Sequence, residues 1–399
     1  MTKAVRTLDD ALRGDPTYER ITSGRWAEDC WLLQPDALKE LGRDLSEAEV
    51  RASVGELMRL YPREVCARPL EDRTLPTVTV GLFFPGMYWH AWPPLYLGLD
   101  LTKCPGWESD KNLVGDLRRD LKYWQRRVEV GVWAGLNRKG LGVQRLEASG
   151  ARTPDFLVNV SGQEIVVEVK TLGTSAEDDA AAEVSKAFTD PMYFGHGAGV
   201  GLTRGMGKRV FLRLNRDLAE GLAGTDAERD AARSQLLALI PMASERTLWA
   251  LGGDNYPFDF DIPGLGHVRI EIGERADSFE PQIVNLPETP FKKQVERALR
   301  SLRSAAGQCR DGHPLVAVLH SFRYVLPAAP ARELLARQML RDPDRFRGID
   351  AVLLHNHYRD YERGDRMVHA VVSWTPPWST MKVLPRVLEQ GVRAWTSRL

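Results

Sequence analysis

The stretch Thr153-Pro-Asp-Phe-Leu-Val-Asn-Val-Ser-Gly-Gln-Glu-Ile-Val-Val-Glu-Val-Lys170 leaves this chain little freedom in how it folds. Two runs rich in β-branched residues flank Ser161-Gly162, a pair suited to a two-residue hairpin turn. With those two residues as the loop, Val160 faces Gln163, and counting back along both strands sets Asp155 directly opposite Glu168. Cross-strand neighbours of this kind have Cβ atoms about 4.5–5.5 Å apart. Side chains alternate between faces along a strand. Glu168 and Lys170 therefore share a face with Asp155, whereas Ile165, Val167 and Val169 turn the other way, toward a core. Two carboxylates and an ammonium converge at one end of the hairpin.

Like charges directly opposite each other destabilise a sheet, and a bound cation offsets the repulsion. Carboxylate oxygens are hard ligands that suit Mg²⁺, with Mn²⁺ as a substitute; Mg²⁺ keeps several waters and accepts one or two protein carboxylates together with phosphate oxygens. Such an ion polarises a phosphate and lowers the pKa of a bound water. Lys170 is then placed to orient that water or to stabilise developing negative charge. The plainer account makes Asp155 a strand cap and Glu168 with Lys170 the solvated face of an edge strand. An isolated Glu-x-Lys tripeptide would favour it, but here the charges interrupt an otherwise apolar strand just after a Pro-Asp strand start.

Pro154-Asp155 and Glu168-Val169-Lys170, preceded by a helix and one strand, resemble the signature of the PD-(D/E)XK superfamily, the restriction-endonuclease-like nucleases. The tight resemblance covers about 60 residues, from the helix near 112 to Lys170. It implies an α/β fold with an αβββαβ core, a mixed central sheet flanked by helices, and phosphodiester hydrolysis with one or two metal ions. A DNA endonuclease acting in restriction, phage defence, mobile-element processing or repair is the implied function, with DNA ahead of RNA as substrate. Many such nucleases add a glutamate from the first helix. Glu129 is the counterpart here, either as a ligand or water-holder or as a helix-surface salt bridge to Arg126, and Glu147 is the competing fourth acid.

The rest of the chain is read around that core. Residues 1–104 form an N-terminal module: short helices to about 75, with the capping pattern Ser46–Glu49 opening one of them, then an aromatic, proline- and glycine-rich run over 76–100 that reads as strands and turns. A long amphipathic helix is expected over Asn112–Asn137, with Leu113, Leu117, Leu121, Trp124, Val128 and Val132 on one stripe. Strands follow at about 142–147, 154–160 and 164–170. A nuclease core over 105–325 takes its later helix and strand from 290–306 and Leu315–Ser321, which makes 171–285 an insertion. A helix near 175–188 with the strand Arg209–Leu214 is the rival choice. The insertion also carries a helix at 226–243 and β-like segments at 267–272 and 282–286. The remainder, 326–399, is a C-terminal α/β extension: helix 330–341, strands 349–355 and 367–374, and helix 382–395.

Composition limits the partners. Lys plus Arg equals Asp plus Glu at 54 each, so nucleic acid must be met by a local basic face rather than a whole-molecule field. Two candidates stand out: residues 116–139, with seven basic against three acidic side chains, and 291–310, with six against one. The four cysteines lack CxxC pairing, which suits a reducing cytoplasm. No apolar run approaches the roughly 20 residues of a membrane span. The glycine-rich Gly195–Gly207 stretch, with Arg204, Lys208 and Arg209, is not a P-loop, and reads as a substrate-closing loop or a plain connector. His355 and His357 could share a strand face, and the aromatics Phe83–Tyr96, with Trp89 and Trp92, could stack on bases, although packing is the leading account of both. Duplex cleavage with two active sites makes a homodimer attractive; a partner protein and a non-cleaving nuclease-fold binder are the alternatives.

Overall fold

The computed structural model describes residues 31–41, 45–62, 65, 88–146, 153–173, 176–194, 208–251, 258–272, 280–286, 291–308, 312–322, 326–360, 366–381 and 386–394. In chain order the helices are α1 (Pro35–Leu41), α2 (Glu47–Leu60), α3 (Tyr88–Leu101), α4 (Lys111–Leu117), α5 (Asp120–Arg138), α6 (Ala176–Phe194), α7 (Arg216–Ala223), α8 (Asp226–Leu251), α9 (Phe291–Ala306), α10 (Ala328–Arg341) and α11 (Arg386–Arg393). The strands are β1 (Gly142–Arg145), β2 (Phe156–Val160), β3 (Gln163–Leu172), β4 (Lys208–Leu214), β5 (Phe258–Ile262), β6 (Gly266–Ile272), β7 (Glu280–Val284), β8 (Leu315–Phe322), β9 (Ala351–Asp360) and β10 (Arg366–Trp374). The chain is mixed α/β and divides into two units, Met1–Gly173 with Val295–Leu399, and Thr174–Gln294. Among the described residues no helix is long and apolar enough to cross a membrane.

The first unit is built on a six-stranded sheet in the order β1-β2-β3-β8-β9-β10. β1, β2 and β3 are antiparallel neighbours, β8 lies parallel to β3 and β9 parallel to β8, and β10 closes the sheet antiparallel to β9. The β2–β3 turn has positive φ at both central residues, 53° at Ser161 and 83° at Gly162, as a type I′ hairpin requires. The Asn159 carboxamide oxygen accepts the Gly162 N–H at 3.1 Å and braces the turn. The resulting register pairs Val160 with Gln163 and Phe156 with Val167, so the next position back sets Asp155 against Glu168.

Both faces of this sheet are covered. Ile165, Val167 and Val169 pack with Val128, Val132 and Trp133 of α5 and with Val316, Val318 and Leu353 in one core. Val166 and Leu172 face the other way, into a core with Ala298, Leu299 and Leu302 of α9 and Ala331 and Leu335 of α10. The tail strands β9 and β10 extend this same sheet. The second unit has its own four-stranded sheet, β5-β6-β4-β7, with α6, α7 and α8 supplying Val184, Phe188, Leu218, Leu222, Leu236 and Ile240 to its core.

Several elements differ from the sequence reading. The helix expected over 112–137 is two helices, α4 and α5, broken at Arg118–Arg119. Tyr61 Oη donates to the Leu117 carbonyl at 2.8 Å, serving a group that a continuous helix would pair internally, and Arg118 Nε donates to the Leu60 carbonyl at the end of α2 at 2.6 Å. The part of 76–100 that is described forms helix α3 rather than strands and turns. Burial of Leu95, Leu97 and Leu101 against α2 overrides the local proline and glycine content; residues 76–87 lie outside the described residues. Within the second unit, α7 and β5 are additional elements, and α8 runs on past Pro241 to Leu251.

The α2–α3 contact depends on a glycine. A Cβ at Gly98 would stand 2.4 Å from the Ser53 carbonyl oxygen and 2.2 Å from its hydroxyl, which itself donates to the Leu95 carbonyl at 2.7 Å. Gly98→Ala is expected to destabilise the protein by about 2 kcal/mol through overpacking, despite alanine's better helix propensity. Gly55→Ala, on the open side of α2 with nothing within 4 Å, should instead stabilise by up to about 1 kcal/mol. Urea unfolding of the two variants checks both signs.

Candidate active site

Asp155 sits in the bend just before β2, where its backbone carbonyl accepts the Leu146 N–H at 3.0 Å and its Oδ2 accepts the Val169 N–H at 2.7 Å. The backbone of Asp155 is thus tied to the end of β1 and its carboxyl group to β3. Glu168 is almost completely buried, 2% exposed. Its Oε1 forms an ion pair with Lys170, whereas Oε2 is buried with no hydrogen-bond partner. Lys170 also donates to the Gln308 side-chain oxygen, just beyond α9, at 3.2 Å.

Glu129, on α5, is 1% exposed and joins the same electrostatic field. Burial, followed by the negative charges of Glu129 and Glu168, pushes Asp155 well above the ordinary carboxylate range. Glu168 is raised chiefly by burial and also by Glu129, against the lowering pull of Lys170. The Glu129 carboxylate is held from the other side. Arg126 Nη1 reaches its two oxygens at 2.8 and 2.7 Å, and Arg145 Nη2 stands 3.4 Å from Oε2. Of the two readings open for Glu129, the pairing with Arg126 is the arrangement present, and it is buried rather than on a helix surface. Glu147, the rival fourth acid, falls outside the described residues.

Arg145 is a site residue that the sequence reading passed over. It lies on β1 opposite Phe156, with its guanidinium 5.9 Å from the Trp133 ring centroid and 5.8 Å from that of Phe156. Its Nε is anchored on Asp110 at 2.6 Å, and its Nη1 is buried without a hydrogen-bond partner. An arginine on a short strand next to two aromatics carries no recognisable spacing, so only the fold brings it to the acids.

The carboxylates suit a hard divalent cation. Glu168 Oε2 is a buried acceptor with no hydrogen-bond partner. Among the described residues no group of three His, Cys, Asp or Glu side chains is disposed to hold a metal ion.

The two basic faces fare differently. On α5 the arginines turn inward, Arg127 and Arg138 to buried Asp100 at 2.7 and 2.6 Å and Arg126 to Asp116 and Glu129, whereas Lys122 is exposed and reaches Asp116 at 3.4 Å. On α9, Lys292, Lys293, Arg300 and Arg303 remain exposed, and Arg297 donates to the Gly173 carbonyl at 2.9 Å. His355 meets His320, its neighbour on β8, with the two Nδ1 atoms 3.1 Å apart; the side chain of His357 falls outside the described residues. So do Gly195–Gly207 with Arg204, and the side chains of Trp89 and Trp92, whereas Tyr96 is buried. Lys208 is buried in β4 and donates to the Leu251 carbonyl at 2.6 Å.

Comparison with protein-family models, curated proteins and solved structures finds no match. The site therefore stands on its own geometry.

Buried acids with raised folded-state pKa values stabilise the fold at low pH and lose that contribution as pH rises through them. Without divalent metal, Asp155→Asn should therefore be more stable than the parent at pH 8, by about 1–2 kcal/mol. The difference should narrow as pH falls toward the ordinary carboxylate range near 4. Urea unfolding in EDTA across that range measures it, and an asparagine variant less stable at pH 8 would contradict the assignment.

Proposed function

We propose that the chain is a metal-dependent nuclease that hydrolyses phosphodiester bonds, most consistent with an endonuclease acting on DNA. The observation that carries this reading is the hairpin register that sets Asp155 against Glu168, with Lys170 two residues on and one Glu168 oxygen buried without a hydrogen-bond partner. The element order supports it: a helix, three antiparallel strands, a later helix and a strand parallel to the third, which is the αβββαβ order of restriction-endonuclease-like nucleases.

Asp155 and Glu168 would hold Mg²⁺ or Mn²⁺, which when bound supplies polarisation of the scissile phosphate and a more acidic bound water. Lys170 is the residue that acts on the reacting atoms. Its ammonium, half-buried and tethered by Glu168 and Gln308, is fixed where it can orient the attacking water or stabilise charge growing on the phosphoryl oxygens. The exposed cations of α9 offer a surface for a polyanion, while α5 keeps its arginines for internal pairs.

A second reading, a nuclease-fold protein that binds nucleic acid or a partner without cutting, draws on a different observation. Glu168 and Glu129 each already have a protein cation beside them, so the acids are partly neutralised without any metal.

Cleavage of plasmid, linear duplex, single-stranded DNA and RNA in Mg²⁺, Mn²⁺ or EDTA separates the two. Metal-dependent cutting is expected, falling by at least about a hundredfold in Lys170→Ala. Absence of cutting on every substrate, with nucleic acid still bound, would favour the non-cleaving protein.

A further inference from the structure

We infer that Glu129 is a positioning residue rather than a metal ligand, and that Asp155 and Glu168 hold a single divalent ion. The inference rests on the metal-dependent reading above and deepens it. A carboxylate that ligates Mg²⁺ must turn a free oxygen lone pair to within about 2.1 Å of the ion. Both Glu129 oxygens are instead engaged by Arg126 Nη1, at 2.8 and 2.7 Å, and Oε2 also faces Arg145 Nη2 at 3.4 Å.

Neither arginine is loose. Arg126 is tied from behind by Asp116, whose Oδ2 accepts its Nε at 2.9 Å, and Arg145 by Asp110, whose Oδ2 accepts its Nε at 2.6 Å. Arg145 is further wedged against Trp133 and Phe156. Two tethered guanidiniums thus grip one carboxylate that is 1% exposed. Turning it toward an ion would strip a buried ion pair in a low-dielectric setting, where such pairs are costly to break.

The neighbouring cations already occupy several of the acidic oxygens. Arg126 neutralises Glu129, and Lys170 takes Oε1 of Glu168. That leaves Glu168 Oε2 as a buried acceptor without a hydrogen-bond partner, with Asp155 opposite Glu168 in the hairpin register. One carboxylate oxygen from each of two residues, completed by waters and a phosphate oxygen, is the usual protein share of an octahedral Mg²⁺ shell. A second ion would need the third carboxylate that the arginines hold.

Titration of the full chain with Mn²⁺, with free ion followed by electron paramagnetic resonance, tests this without relying on activity. The wild type should bind one ion, Glu129→Gln should bind one ion with affinity within about fivefold, and Asp155→Asn should lose at least a hundredfold. Arg126→Gln frees Glu129 to ligate, and should bind Mn²⁺ roughly tenfold more tightly or take up a second ion. That gain is one that a merely structural salt bridge would not produce. Two ions on the wild type, loss of binding in Glu129→Gln, or an unchanged affinity in Arg126→Gln would overturn the inference while leaving the metal reading intact. No Mn²⁺ on the wild type would overturn both.

Discussion

The register of one hairpin governs this structure. A two-residue turn with positive φ at both positions fixes β2 against β3, and through them which side chains meet. A slip of one residue would send Glu168 and Lys170 into the core lined by α5 and turn Val167 and Val169 out of it. The unbroken apolar face of Ile165, Val167 and Val169 therefore enforces the same pairing that brings Asp155 opposite Glu168. Stability and the acidic site share a single constraint.

Opposed carboxylates in a sheet carry an electrostatic cost, and the surroundings answer it with fixed cations. Lys170 pairs with Glu168, Arg126 with Glu129, and Arg145 bridges from Asp110 toward Glu129. The same α5 helix uses Arg127 and Arg138 to hold Asp100, a fully buried carboxylate at the end of α3. Its arginines thus serve the interior, tying the N-terminal helices to the helix that backs the site. The exposed cations of α9 lie on a helix that ends beside Lys170's partner Gln308.

Much of this was legible in the sequence where local rules coincide. Turn chemistry, strand alternation and an apolar run all point to one register, so the hairpin and the facing of Asp155, Glu168 and Lys170 could be read before any coordinates. The amphipathic pattern of α9 and the apolar run of β8 likewise announced themselves. What was not legible depends on distant contacts. The break between α4 and α5 follows from Tyr61 and Arg118 reaching across to and from α2's end, and α3 is helical because Leu95, Leu97 and Leu101 are buried against α2. Arg145 and the His320–His355 pair come together only through sheet topology, which no spacing along the chain encodes. Glu129 was visible as an acid on the first long helix, but its grip by two arginines needed the third dimension.

The most direct test of the account is an anomalous difference map from crystals grown with Mn²⁺. The account predicts one peak at the open end of the hairpin, within about 2.2 Å of Glu168 Oε2 and of an Asp155 oxygen, with Glu129 still on Arg126. A peak elsewhere in the molecule, or none with Asp155 and Glu168 ordered and facing each other, would contradict it.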